Sequence, residues 1–132
     1  MPAVTLKMTD ETAGGTVLHE VEVSFSNALT TVQEIIRSRV YAEVQNYNER
    51  MPEYFKGLVQ PGEAEATLNG FRLKERRKVD AERQYGAAIE AFKKNGYFIL
   101  IDHIQAESLE QMVVVNPGTQ ISFIKLTPLV GG

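Results

Sequence analysis

The chain has 132 residues, a mass of 14.7 kDa and 43% hydrophobic residues, which is typical of a single domain with one sizeable core. Its 17 acidic and 14 basic residues give a net charge of −3, so nucleic acid and anionic lipid are not expected as partners. The sequence contains no cysteine, which excludes disulfides, thiolate metal sites and a cysteine nucleophile. The first residues lack the pattern of a signal peptide and no apolar stretch is long enough for a membrane span, so a cytoplasmic location is expected.

Two alternating runs between Ala3 and Phe25 predict a β-hairpin. The segment from Asp10 to Gly15 is predicted to form the turn, with Gly14 and Gly15 free to take positive φ angles. The apolar face comprises Val4, Leu6 and Met8 in the first run and Val17, Val21, Val23 and Phe25 in the second.

A long amphipathic helix follows, because apolar residues now recur at steps of three and four. Thr31 and Glu34 have the spacing of a capping box, which predicts the start of this helix. Pro52 bounds it at the far end. The predicted buried face comprises Val32, Ile35, Ile36, Val40, Val44 and Tyr47.

Residues 49–96 predict a long insertion with an irregular first part, because proline and glycine interrupt it repeatedly. A short hairpin is predicted within it around the turn Asn69-Gly70. A second helix is predicted from Asp80 to the stop signal Asn95-Gly96. Four large apolar residues of the insertion form either an exposed recognition patch or, as we favour, an attachment to the domain: Tyr54, Phe55, Leu58 and Phe71.

The last part of the chain predicts strands and turns. Residues 97–101 show no polar alternation, which indicates a strand buried on both faces, and a polar turn follows over 102–108. After the apolar run 112–115, Asn116-Pro117-Gly118 predicts a tight turn with the glycine at positive φ. A final strand is expected over 121–126, and Pro128 then marks the start of a free tail.

Three stretches carry a family resemblance: 17–32 with the hairpin strand and helix cap, 98–105 with the core strand and turn, and 119–126 before the tail. Their order resembles the β-grasp of ubiquitin-like proteins. The resemblance implies an α+β fold, with a mixed sheet of four to five strands packed on one long helix. The chain would form a single domain over 1–132, with an inserted second helix within 49–96 and a flexible tail over 128–132.

The ending Pro128-Leu129-Val130-Gly131-Gly132 is also similar to that of the small sulfur-carrier subunits used in molybdopterin and thiazole synthesis. It lacks the arginines of the ubiquitin tail, and the insertion is longer than the connection in a minimal β-grasp.

The resemblance implies a carrier or modifier rather than an enzyme. A partner activating enzyme would use ATP to adenylate the carboxylate of Gly132, while Pro128, Leu129, Val130 and Gly131 would serve in tail recognition. Two glycines suit this role because they lack Cβ atoms and let the backbone enter a narrow channel. No bound cofactor, metal or catalytic residue is implied in this chain. A conjugating enzyme or protease and a target protein would be the further partners.

Three functions stay open at this point. The first is a protein modifier joined to a target amine, which the enlarged body favours. The second is a sulfur carrier with a C-terminal thiocarboxylate, and the third is a non-covalent β-grasp interaction module. If the chain is a modifier, seven lysines are candidate acceptors for chain building: Lys7, Lys56, Lys74, Lys78, Lys93, Lys94 and Lys125.

Other polar features predict no independent enzyme. Five of the seven residues from Arg72 to Lys78 are cationic, which suits a solvated surface or an acidic protein partner better than nucleic acid in a chain of this net charge. His103 is expected in a surface turn and His19 at the edge of the core. We find no metal spacing, phosphate loop or paired carboxylates at a known motif.

Overall fold

The computed structural model describes residues 3–67, 69–75 and 77–126 and shows an α+β fold. In chain order the elements are β1 (Val4–Thr12), β2 (Val17–Phe25), β3 (Leu29–Thr31), α1 (Val32–Arg50), β4 (Ala64–Thr67), β5 (Gly70–Leu73), α2 (Ala81–Lys93), β6 (Tyr97–Ile101), β7 (Ile104–Gln105), β8 (Met112–Val114) and β9 (Ile121–Lys125). The main sheet has five strands in the order β2-β1-β9-β6-β7, while β3 pairs with β8 and β4 with β5 in small ribbons. The predicted α+β class, with a mixed sheet and a second helix, is therefore confirmed.

The predicted opening hairpin is present, but its turn is shorter than expected. β1 continues through Asp10 and Thr12, so our assignment of Asp10 to the turn was wrong. Asp10 follows Leu6 and Met8 at every second position of β1, so its side chain lies on the same sheet face, which packs against the core. It is only 2% exposed. In the actual turn Gly15 has φ +93°, whereas Gly14 is not among the residues with positive φ.

The predicted start and end of the helix α1 are both confirmed. The backbone N–H of Glu34 donates to the Thr31 side chain at 3.1 Å, which satisfies one of the free donors of the first turn. Met51 ends the helix in a left-handed conformation just before Pro52. The apolar face of α1 packs against the sheet and is fully buried at Val32, Ile35, Ile36 and Val40.

The insertion folds against this body. Its predicted hairpin is present as β4 and β5, but Thr67 pairs with Gly70, so Gly70 opens the second strand instead of belonging to the two-residue turn. Asp80 caps α2 by accepting from the backbone of Glu82 and Arg83, as its sequence position predicts. We favoured the interpretation that the large apolar residues attach the insertion to the domain. It is confirmed for Phe55 and Leu58, which are only 1% and 4% exposed.

The last strands are close to the prediction. β6 is present, but only Tyr97 and Ile99 are buried, because the sheet face carrying Phe98 and Leu100 is only partly covered. The turn after β8 is closed by a hydrogen bond from Thr119 N to Asn116 O at 3.0 Å. Gly118 does not take the predicted positive φ, since the Asn116 side chain accepts from its backbone N–H and stabilises the turn without that conformation.

The two short strands β3 and β7 were not predicted. Each has three residues or fewer, which is too short for an alternation to appear in the sequence. Of the helices in the described part of the chain, neither combines the length and apolar character needed to span a membrane.

Candidate functional site at the end of β9

The residues predicted to carry the chemistry, Pro128, Leu129, Val130, Gly131 and Gly132, lie outside the described residues. The strand that precedes them is described in full. β9 lies between β1 and β6, parallel to β1, and its last residue Lys125 pairs with Thr12 and Tyr97. We call this edge, formed by Thr12, Tyr97 and Lys125, the tail end of the sheet, because the chain continues from it towards Gly132.

A cluster of four charged residues lies beneath the tail end of the sheet: Asp10, Arg39, Glu43 and Lys125. The guanidinium of Arg39 bonds both carboxylate oxygens of Asp10, with Nη2 to Oδ2 at 2.6 Å, and donates from Nε to Glu43 at 3.1 Å. The ammonium of Lys125 lies 3.7 Å from Asp10. The Arg39 side chain is fully buried, with its guanidinium carbon 4.5 Å from the centre of the Phe123 ring.

The charges of this cluster compensate one another in a poorly solvated environment. Burial raises the pKa of Glu43, although Arg39 opposes that shift. Burial also lowers the pKa of Lys125, and the nearby Asp10 carboxylate acts in the other direction. Burial by itself would lower the pKa of Arg39, but the carboxylates of Glu43 and Asp10 hold it above its ordinary value. The arginine is therefore the fixed positive charge around which the two acids are arranged.

The same cluster connects the body to the insertion. Glu43 accepts the backbone N–H of Leu58 at 3.0 Å, and Lys125 donates to the carbonyl of Gly57 at 2.7 Å. The ammonium of Lys125 also lies 5.7 Å from the centre of the Phe71 ring. Lys125, the last residue of β9, is thus held by the body on one side and by the insertion on the other.

Our sequence reasoning missed this cluster, although the signal was present. Asp10 follows Leu6 and Met8 at the strand period of two. Arg39 and Glu43 each follow a buried residue of α1 by three positions, and they are four apart, which is the spacing of an ion pair on one helix face. Charged residues that fall on an apolar face at the correct period therefore predict buried partners.

Two surfaces surround the tail end of the sheet. The apolar margin consists of Val17, Leu18 and Leu126, which are 52%, 49% and 47% exposed. The basic strip lies in the insertion and consists of Lys56, Arg72, Lys74, Arg77 and Lys78, all exposed except Arg77, which is partly buried.

The two histidines have the predicted surroundings. His19 is half-buried on β2, where it pairs with Asp10, and burial lowers its pKa. His103 is exposed in the turn between β6 and β7. Among residues 3–67, 69–75 and 77–126, no group of three or more His, Asp or Glu side chains is placed to hold a metal ion.

Comparison of the chain with protein-family models, with curated proteins and with solved structures found no match.

Proposed function

We propose that this chain is a ubiquitin-like protein modifier of the β-grasp class, whose Gly132 carboxylate is activated by a partner enzyme and joined to an amine of a target protein. The observation that carries the proposal is the position of β9. An opening hairpin, a long helix and three later strands are arranged so that the last strand lies parallel to the first in the middle of the sheet. This arrangement supports the β-grasp expectation, and in the sequence Gly131-Gly132 follows six positions after Lys125, the last residue of β9.

The chemistry requires activation because a carboxylate is a poor electrophile. In the first step a Gly132 oxygen attacks the α-phosphorus of ATP, which gives an acyl adenylate and releases pyrophosphate. A lysine amine of the target then attacks the carbonyl, which forms an amide and releases AMP and a proton. Both steps use groups of the partner and the target, and this chain supplies the electrophilic carbon.

The body of the protein contributes a firm attachment for the tail. Lys125 is held by hydrogen bonding to Gly57 and by the Asp10 carboxylate, and β9 is paired on both sides. A partner can therefore bind the tail without pulling the last strand out of the sheet. Because its ammonium is engaged in this way, Lys125 is a poor acceptor for chain building, whereas the other six lysines are exposed.

A sulfur carrier is the closest alternative, because it shares the adenylation step and because the tail is similar to that of sulfur carriers. In that case a sulfide equivalent attacks the adenylate, which gives a thiocarboxylate and releases AMP. The enlarged body favours the modifier, since residues 49–96 add a recognition surface that sulfur transfer does not require.

A specific observation favours a non-covalent module as a second candidate. The small ribbon of β3 and β8 exposes a directly paired Leu29 and Val114, at 56% and 65%, beside Met112 at 57%. Exposed apolar side chains clustered on one ribbon suit a protein interface.

Trapping the activated carbonyl tests the proposal. The purified chain is incubated with an extract of its native host, ATP and hydroxylamine, and the C-terminal peptide is read by mass spectrometry. We expect a hydroxamate at Gly132 that requires ATP, since hydroxylamine attacks an acyl adenylate or a thioester. A variant lacking Gly131 and Gly132 is the control for carboxylates elsewhere. Gly132 that keeps a free carboxylate with ATP present would contradict the proposal and favour the non-covalent module.

A further inference from the structure

The basic strip extends away from the tail end of the sheet across the insertion. At one end, Lys56 precedes Gly57, whose carbonyl binds Lys125, and Arg72 follows Phe71, whose ring faces the same ammonium. At the other end, Lys78 precedes Val79, whose backbone N–H and carbonyl are both bonded to the Asn48 side chain near the end of α1. These contacts place the backbone at Lys56 and Arg72 near Lys125, whereas the backbone at Lys78 lies near the end of α1.

The strip is held in place by the insertion's own contacts. Phe55 and Phe71 exchange two backbone hydrogen bonds, at 2.7 and 2.9 Å, which join the loop carrying Lys56 to β5. The guanidinium of Arg77 donates to the carbonyl of Gly62 at 2.5 Å. These bonds order the backbone that carries the strip, which reduces the entropy lost when a partner binds there.

The apolar margin lies at the same end of the sheet. Val17 pairs with Glu11, one residue before Thr12, and Leu126 directly follows Lys125. Three large aliphatic side chains that are about half exposed therefore lie at the end of the sheet where β9 ends. A combination of exposed apolar and charged side chains is typical of a protein interface, with an apolar centre and a polar rim.

We infer that the basic strip and the apolar margin form the surface by which the activating enzyme docks on this protein, and that the enzyme presents acidic side chains to the strip. The inference rests on the proposed function. Gly132 lies six residues after Leu126, and a fully extended chain of that length reaches at most about 20 Å, so a protein that binds Gly132 lies within about that distance of this end of the sheet. Opposite charges on the two partners then orient the encounter so that the tail faces the enzyme.

A protein fits the surface better than nucleic acid. Exposed acids lie among the cations, at Glu63, Glu65 and Glu75, and the net charge of the chain is −3. A uniformly negative phosphate backbone would face these acids as well as the cations, and it would leave the aliphatic margin uncovered, whereas a protein surface can place its acids opposite the cations alone. A protein with complementary acidic and apolar patches meets both features.

Paired neutralising variants test the inference with the hydroxylamine assay in native-host extract. Lys56→Gln/Lys74→Gln removes two charges from the strip, and Lys7→Gln/Lys93→Gln removes two exposed charges outside it. We expect the rate of hydroxamate formation to fall roughly tenfold for the strip variant and to stay near wild type for the control. We also expect the wild-type rate to fall as KCl is raised, with a weaker dependence in the strip variant.

Thermal unfolding of each variant shows whether the fold is retained, and Lys56→Arg/Lys74→Arg, which keeps both charges, should restore the rate. If the wild-type chain forms the hydroxamate and all variants form it at the same rate, the inference is overturned and the proposed function stands. No hydroxamate in any variant would remove the proposed function and the inference with it. Binding of a short single-stranded RNA that the strip variant loses would assign the strip to nucleic acid and overturn the inference.

Discussion

The body of the domain and its insertion are held together in different ways. The body packs apolar residues of α1 against the sheet in a regular pattern, as at Ile36, Ile99 and Phe123, which are fully buried. The insertion adds fewer residues to the core, such as Phe55 and Leu58, and is joined to the body by individual polar contacts such as Glu43 with Leu58 N and Asn48 with Val79. A regular core tolerates local changes better than single contacts do, so we expect the insertion to open locally while the body stays folded.

Replacement of Arg39 should have the largest effect because both regions depend on it. Arg39→Met leaves Asp10 and Glu43 buried without their cation, so we expect a loss of about 3–5 kcal/mol in the free energy of unfolding. Arg37→Met, whose arginine lies over the rings of Tyr41 and Tyr85, is the control and should cost about 0.5–1 kcal/mol. Urea denaturation measures both variants, and a similar small loss in each would show that the cluster does not hold the two regions together.

A methyl group at Gly57 should affect the insertion selectively. A Cβ there would lie 2.1 Å from the buried Phe55 ring, so Gly57→Ala must displace the ring or the loop. We expect a cost of about 1–3 kcal/mol and faster hydrogen exchange in the insertion than in β1 or β9. Gly62→Ala is the matched control, since nothing lies within 4 Å of its Cβ position. Uniformly faster exchange over the whole chain would contradict separate behaviour of the two regions.

The link between α1 and the start of α2 should have a smaller effect. Asn48→Ala removes the hydrogen bonds to Val79 N and O, at 2.8 and 3.0 Å, for an expected loss of about 1–2 kcal/mol. Asn46→Ala, at an exposed position of the same helix, is the control and should be close to neutral. Limited proteolysis is the readout, and we expect faster cleavage within 51–80 only for Asn48→Ala. Equal protection of both variants would show that this link does not hold the insertion.

A decrease in pH should have the smallest effect on the free energy of unfolding, and His19 is the residue responsible. Burial lowers its pKa below the ordinary 6.5, and Arg39, Lys56 and Lys125 act in the same direction while Asp10 opposes them. The unfolded chain therefore binds more protons between the lowered pKa and 6.5, so the free energy of unfolding falls as pH decreases through that interval.

Variants of the two histidines test this expectation. His19→Gln should reduce the pH dependence measured by thermal unfolding, whereas His103→Asn, at the exposed turn, should retain it. An unchanged dependence in His19→Gln would assign the effect to other groups.

The same contrast explains what the sequence could predict. The periods of two and 3.6 identified β1, β2 and α1, because a repeated apolar face leaves a repeated signal, and the unbroken apolar run 97–101 identified β6. The attachment of the insertion leaves no such signal, since one contact such as Lys125 to the Gly57 carbonyl joins residues 68 positions apart. For the candidate site, the sequence pointed to the residues after β9, whereas the buried charges beneath that strand were recognised only from the structure.

The most direct test of the central claim is the chemical state of Gly132 in the native host. The chain, tagged at its N-terminus, is expressed there and its C-terminal peptide is read by mass spectrometry, beside a form lacking Gly132. We expect an amide between Gly132 and a lysine of another protein, while a thiocarboxylate would instead establish the sulfur carrier. A free carboxylate alone, together with normal function of the truncated form, would contradict the claim that Gly132 carries the chemistry.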